Sequence, residues 1–176
     1  MKSYTRLFLI VISLTLLVAA PLHAGSFKWE TNLAKAEEIA KRENKPVFLL
    51  FAGSSWCGVC ALLDKNILSK EAFRKFAADR LIAVKIDFKD APFHDNGQVN
   101  KPSTSADKAK FELAKQYNVN VGQKSTNGLN GYPSVFILSS EGARLGQVNA
   151  NINVANGAPG PFIKEIEKLI PPATKP

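Results

Sequence analysis

Cysteine, histidine and methionine are nearly absent from this chain, which holds two, two and one of them in 176 residues. Two cysteines cannot staple a miniprotein, and a chain of this size can bury a core without staples. A structural zinc site wants four ligands, and beyond its first residues the chain offers two cysteines and His94, so no metal is implied and no cofactor is expected. Long hydrophobic runs are missing too. The longest, Leu7 to Ala20, is about 14 residues, broken by Ser13 and Thr15, short of the ~20 that a membrane-spanning helix needs. Although the composition is basic, with a sequence pI near 9.5, there is no clustered arginine stretch and no nucleic-acid motif, which excludes nucleic acid as a partner. No internal repeat and no second domain are apparent.

The short apolar run is informative by its position. Lys2 and Arg6 precede it and small residues follow, the pattern of an export signal. Cleavage after Ala20 would leave Pro21 as the new N-terminus, so Leu22-His23-Ala24 is the better site. We read residues 1–24 as a cleaved signal and 25–176 as one domain delivered to the periplasm, with an uncleaved anchor as the alternative. No cysteine near the cleavage region offers a lipid attachment point. The formal charge of +8 falls to about +6 once Lys2 and Arg6 leave with the signal. The remaining lysines are spread over several helices, a solvated surface with at most a bias toward acidic substrates. His94, alone in a polar loop, reads as solvated.

Periodicity organises the rest. Thr31 or Asn32 can cap a helix through Glu43, with Leu33, Ala36 and Ala40 on one face, and Asn44-Lys45-Pro46 ends it. Val47 to Ala52 is continuously apolar and too short for a helix, hence a buried central strand. Gly53-Ser54-Ser55 turns out of it. From Cys57 the pattern is helical, with Val59, Leu63 and Ile67 four apart and Cys60 on a neighbouring face, and Ser69 can cap a second piece, Lys70 to Ala78. Leu81 to Phe88 is the next strand. Ala106 to Tyr117 is helical through Ala109, Leu113 and Tyr117. The polar stretches 90–105 and 118–131 read as loops. Pro133 to Ser139 is a strand, Ala143 to Asn149 its antiparallel partner, and Pro161 can open a last helix carrying Phe162, Ile163, Ile166, Leu169 and Ile170. Alternating helices and strands imply an α/β sandwich with parallel central strands.

Both cysteines fall in Cys57-Gly58-Val59-Cys60, preceded by Trp56, where the first core strand gives way to a helix. A purely structural bridge is poorly placed there, since closing a four-residue loop contributes only roughly 2 kcal/mol in the chain-entropy estimate. This cysteine pair, together with Gly131-Tyr132-Pro133 opening a later strand, resembles the thioredoxin superfamily over nearly all of the chain from Trp29 to Ile170. The segment Lys45 to Cys60, with Phe51-Ala52-Gly53-Ser54-Ser55-Trp56 before the first cysteine, is similar to the exported thioredoxin-like disulfide reductases and isomerases of bacteria, chlamydial Dsb-type proteins among them. The resemblance implies a thioredoxin-like fold, a central mixed β-sheet sandwiched by helices.

At the first turn of a helix the Cys57 sulfur meets unpaired backbone N–H groups, which favours thiolate and makes Cys57 the nucleophile. Cys60, one turn further in, is the resolving thiol. Gly58 allows close approach of a partner chain, and Trp56 offers either an apolar rim or plain core packing. By resemblance Tyr132-Pro133 is the family's cis-proline site, whose backbone edge, with Trp56, Gly58 and Val59, receives substrate polypeptide; the plain alternative for Pro133 is a strand-opening proline.

Departures from the family pattern are equally specific. Val59 stands where thioredoxin has proline, Ser134 where threonine is usual, and Phe51 where thioredoxin buries an aspartate, so no general base is assigned and water, Glu112 or Asp87 are left as proton acceptors. The 118–130 stretch reads as an insertion before the proline, a surface excursion rather than part of a substrate groove.

These readings lead to an exported protein thiol-disulfide oxidoreductase acting on cysteines of other exported proteins. Gly58-Val59 lacks the histidine that strengthens oxidants, which favours reduction or isomerisation. An isomerase would need a dimer, and no dimerisation segment is evident; a monomeric reductase comes first, its electrons supplied, by resemblance, by a membrane protein. Isomerase or oxidase of the same fold, and a non-catalytic binding module, are the alternatives.

Overall fold

The computed structural model describes residues 26–90, 101–120, 131–150, 154 and 157–172. The signal segment, His94 and most of the 118–131 loop lie outside the described residues. The elements in chain order are β1 (Trp29–Glu30), α1 (Leu33–Glu43), β2 (Val47–Ala52), α2 (Gly58–Leu63) running into a π-helical turn (Asp64–Leu68), α3 (Glu71–Arg80), β3 (Ile82–Asp87), α4 (Ser105–Gln116), β4 (Ser134–Leu138), β5 (Arg144–Val148) and α5 (Pro159–Glu167). The strands form one mixed sheet ordered β1-β3-β2-β4-β5. β2 pairs parallel with β3 and antiparallel with β4, so parallel pairing holds for only part of the centre.

All six residues of β2 are buried because helices cover both faces of the sheet. Strand alternation divides them. Phe48, Leu50 and Ala52 join a core with Cys60, Leu63, Phe73, Phe162 and Ile166, contributed by α2, α3 and α5. Val47, Leu49 and Phe51 face α1 and α4, meeting Ala36, Ala40, Phe111 and Ala114. The sheet thus carries α2 and the cysteines at the end of its central strand, on one fixed face.

Local signals account for most boundaries. Asn32 caps α1, its side chain accepting from the Lys35 N–H at 3.0 Å, and Asn44 closes the helix in the left-handed conformation at φ 49°. Replacing Asn32 with alanine should cost about 1 kcal/mol of stability, read as a lowered midpoint in chemical denaturation. Asn118, at φ 55°, closes α4 the same way, letting the Val119 N–H reach the Ala114 carbonyl.

Several expectations need correction. Ser69 does not cap α3; its hydroxyl donates back to the Lys65 carbonyl, closing the π-helical turn, while Lys70 holds the cap position without a side-chain bond. That turn interrupts the regular helical path expected through Ile67; Leu63 and Ile67 are buried, and Val59, in the first turn of α2, is exposed. α4 buries Phe111 and Ala114, not Ala109, because a four-residue spacing alone cannot choose between neighbouring helix faces. α5 begins at Pro159, two residues before Pro161, since a first turn tolerates prolines that need no N–H partner. The two-residue β1 was not anticipated, being too short to show a period. Among the described residues no helix is long and apolar enough to cross a membrane.

Candidate active site

Cys57 stands at the N-cap of α2 with extended backbone, and its sulfur accepts the Cys60 backbone N–H at 3.2 Å. The turn that delivers it is closed by the Cys57 N–H on the Gly53 carbonyl at 2.9 Å. Cys57 and Cys60 are joined as a disulfide with Cα atoms 5.2 Å apart. The two cysteines differ in access: Cys57 is half-buried, whereas Cys60 is 6% exposed and packed in the core. An amide aimed at the Cys57 sulfur favours its anionic form once the bond is reduced, and Cys60 lies behind it in the core.

The backbone across the sheet completes the site. The Tyr132–Pro133 peptide is cis, and the Tyr132 carbonyl oxygen lies 3.5 Å from Cys57 Sγ, placed to accept a thiol proton after reduction. Ser134 follows, its hydroxyl donating to the Gly131 carbonyl at 2.5 Å. Trp56 is half-buried and edge-on to Tyr132 at 5.2 Å, and its indole N–H donates to the Phe88 carbonyl at 2.7 Å. It therefore packs and rims the site together. Gly53 is required by Trp56, because a Cβ there would run into the indole ring. A Cβ at Gly58 would meet nothing among the described residues, and Val59 is 39% exposed beside it. Leu62, unremarked in the sequence, is 47% exposed one turn further along α2.

Tyr132 carries a buried hydroxyl with no hydrogen-bond partner among the described residues, and burial raises the phenol pKa well above its ordinary value, keeping it neutral. Phe51, in place of an acid, is fully buried against Tyr117 and Phe136. Of the two carboxylates considered as proton acceptors, Glu112 is exposed and paired with Lys115 at 2.7 Å. Asp87 is engaged by Ser54, which donates its N–H at 2.9 Å and its hydroxyl at 2.6 Å. That pairing went unrecognised because it joins residues 33 apart; the only sequence signal was a carboxylate ending an apolar strand.

A family model for a thioredoxin-like domain matches residues 33–154. The chain belongs to the thioredoxin-like family. Among relatives, the disulfide bond reductase DsbH of Chlamydia pneumoniae is 30% identical over 128 residues, 73% of this chain and 66% of that protein. The thioredoxin-related protein DsbJ of the same organism is 26% identical over 74 residues, 42% of this chain and 21% of that one. The chain thus spans less than two thirds of either. A solved structure of a DsbH oxidoreductase superposes with a TM-score of 0.59 at 25% identity, covering 88% of this chain and 92% of the other. This thioredoxin-like chain is therefore similar to Dsb-type proteins in sequence and in fold.

Proposed function

We propose that this chain is an exported protein thiol-disulfide oxidoreductase whose Cys57/Cys60 pair reduces disulfides in other exported proteins. The observation that carries the reading is the asymmetry of the pair: a half-buried Cys57 whose sulfur accepts a backbone N–H beside the Tyr132 carbonyl of the cis Tyr132–Pro133 peptide, with Cys60 buried behind it. Similarity to a disulfide bond reductase supports the direction.

In the reaction, the Cys57 thiolate attacks one sulfur of a substrate disulfide. A Cys57–substrate bond forms, the substrate S–S bond breaks, and the departing thiolate takes a proton from water. Cys60 then loses its proton and attacks Cys57 Sγ, forming the intramolecular disulfide and releasing the second substrate sulfur as thiolate. Two electrons have passed to the substrate. The oxidised pair must be reduced again by an external dithiol, for which a membrane electron donor is the candidate. Trp56, Gly58, Val59 and the Tyr132–Pro133 backbone are the proposed substrate contacts. Residues 1–24 act as the export signal, and 25–176 act in the periplasm as a monomeric domain.

Equilibrating the pair with defined glutathione or dithiothreitol buffers tests the direction. A reduction potential near that of thioredoxin, about −270 mV, is expected. A value near about −120 mV, that of a strong oxidant, would make the protein a disulfide donor instead.

A further inference from the structure

Three successive residues ahead of Cys57 are tied to three successive residues leaving β3. Ser54 gives its N–H and hydroxyl to the two carboxylate oxygens of Asp87, Ser55 gives its hydroxyl to the Lys89 carbonyl, and Trp56 gives its indole N–H to the Phe88 carbonyl. The β2/β3 ladder runs directly into this clamp, with Ala52 opposite Asp87 and the Phe88 N–H on the Ala52 carbonyl at 2.8 Å. Lys110 of α4 donates to the Asp87 main-chain carbonyl at 3.0 Å, and Phe111 of the same helix packs edge-on against Phe88 at 5.7 Å. The β3 exit is thus held by the helix behind it.

Only one of these anchors is an ionised side chain. Ionised acceptors make hydrogen bonds roughly twice as strong as neutral ones, and a carboxylate taking both an N–H and a hydroxyl fixes orientation as well as distance. The anchored turn, Gly53 to Cys57, decides where the Cys57 sulfur sits relative to the Cys60 N–H. Shifting that turn weakens the contact that favours the thiolate, because hydrogen bonds fall off steeply with distance and angle.

We propose that Asp87 is a positioning residue for the nucleophile, acting through Ser54 to hold the Cys57 sulfur on the Cys60 backbone N–H. The inference rests on the reading of Cys57 as the nucleophile and gives Asp87 a role other than proton acceptor. Its carboxylate is occupied by Ser54 and belongs to the architecture of the turn.

The test is the pH dependence of Cys57 alkylation by iodoacetamide in the dithiothreitol-reduced full chain, with the site mapped by peptide mass. Asp87→Asn and Asp87→Ala remove the same charge and differ in that asparagine keeps an acceptor oxygen for Ser54. Ser54→Ala keeps the charge and removes one of the two bonds. Asp87→Ala should move the alkylation profile to higher pH than Asp87→Asn, leaving Cys57 about tenfold slower than in Asp87→Asn at a pH below the thiol midpoint. Ser54→Ala should slow it about threefold relative to the unaltered chain. Identical profiles for Asp87→Ala and Asp87→Asn, with Ser54→Ala matching the unaltered chain, would overturn the proposal even if all three variants lost thermal stability. Should Asp87→Ala fail to fold, Ser54→Ala and Asp87→Asn decide: the proposal requires slowed Ser54→Ala, and unchanged alkylation in both overturns it. Iodoacetamide reports the thiolate alone. Failure of the protein to reduce protein disulfides would count against the proposed function and leave this result standing.

Discussion

With Cys60 replaced by alanine, the Cys57–substrate bond should persist, and a mixed disulfide should accumulate on incubating the reduced variant with a disulfide-bonded substrate. The physical reason is the missing intramolecular attacker. Cys60 sits buried one helical turn from Cys57, with Cα atoms 5.2 Å apart, so in the intact protein its attack does not wait for an encounter. Without it, release depends on an external thiol, and multiple-turnover reduction should fall by at least about a hundredfold. Non-reducing electrophoresis followed by mass mapping would place the bond on Cys57. The companion variant Cys57→Ser should trap nothing, because the remaining thiol is buried in the core. Trapping through Cys60 in that variant would refute the assignment of roles. Undiminished binding and biological activity in Cys57→Ser would point to a non-catalytic binding module.

Replacing Phe51 with alanine should cost about 3–5 kcal/mol, the range for emptying a fully buried aromatic position. Phe51 is 0% exposed in the central strand, packs against Tyr117 and Phe136 at 5.7 and 6.0 Å, and lies opposite Ile86 and Ser134 on the flanking strands. Neighbours held on both sides by strand pairing cannot collapse into the space, so a cavity term adds to the lost transfer energy. Urea unfolding monitored by circular dichroism would measure the loss. A change below about 1 kcal/mol would mean the site relaxes freely and that Phe51 fills a space the core does not need filled. The same residue marks a chemical difference: where thioredoxin buries an aspartate, this chain has an aromatic contact, so under the proposed mechanism the proton leaving Cys60 would find no carboxylate acceptor at that position.

Elements defined by contiguous residues were legible in the sequence. β2 was readable because six apolar residues lie between a proline and a glycine, and α1 because Asn32 and Asn44 bracket one amphipathic stretch. Where a helix changed character the pattern failed. The π-helical turn at Asp64–Leu68 interrupts the constant period expected through Ile67, and Val59, which precedes that turn at the start of α2, is exposed while Leu63 and Ile67 are buried. In α4 the aromatic Phe111 won the interior over the alanine spacing, because its partner Phe88 lies just beyond β3, distant in the chain.

By itself the sequence determined where thiol chemistry can reside, since both cysteines lie within four residues, and which strand would be central, since apolar content without alternation demands cover on both faces. It also carried the family resemblance, through Trp56-Cys57-Gly58-Val59-Cys60 and Tyr132-Pro133. Only the tertiary structure decided what surrounds the Cys57 sulfur. The Tyr132 carbonyl comes from 75 residues away and the Asp87 carboxylate that binds Ser54 from 33, both brought there by strand pairing with β2. Such contacts depend on sheet order and register, which arise from how the hydrophobic faces of several elements close over one another, and no local run of residues encodes them.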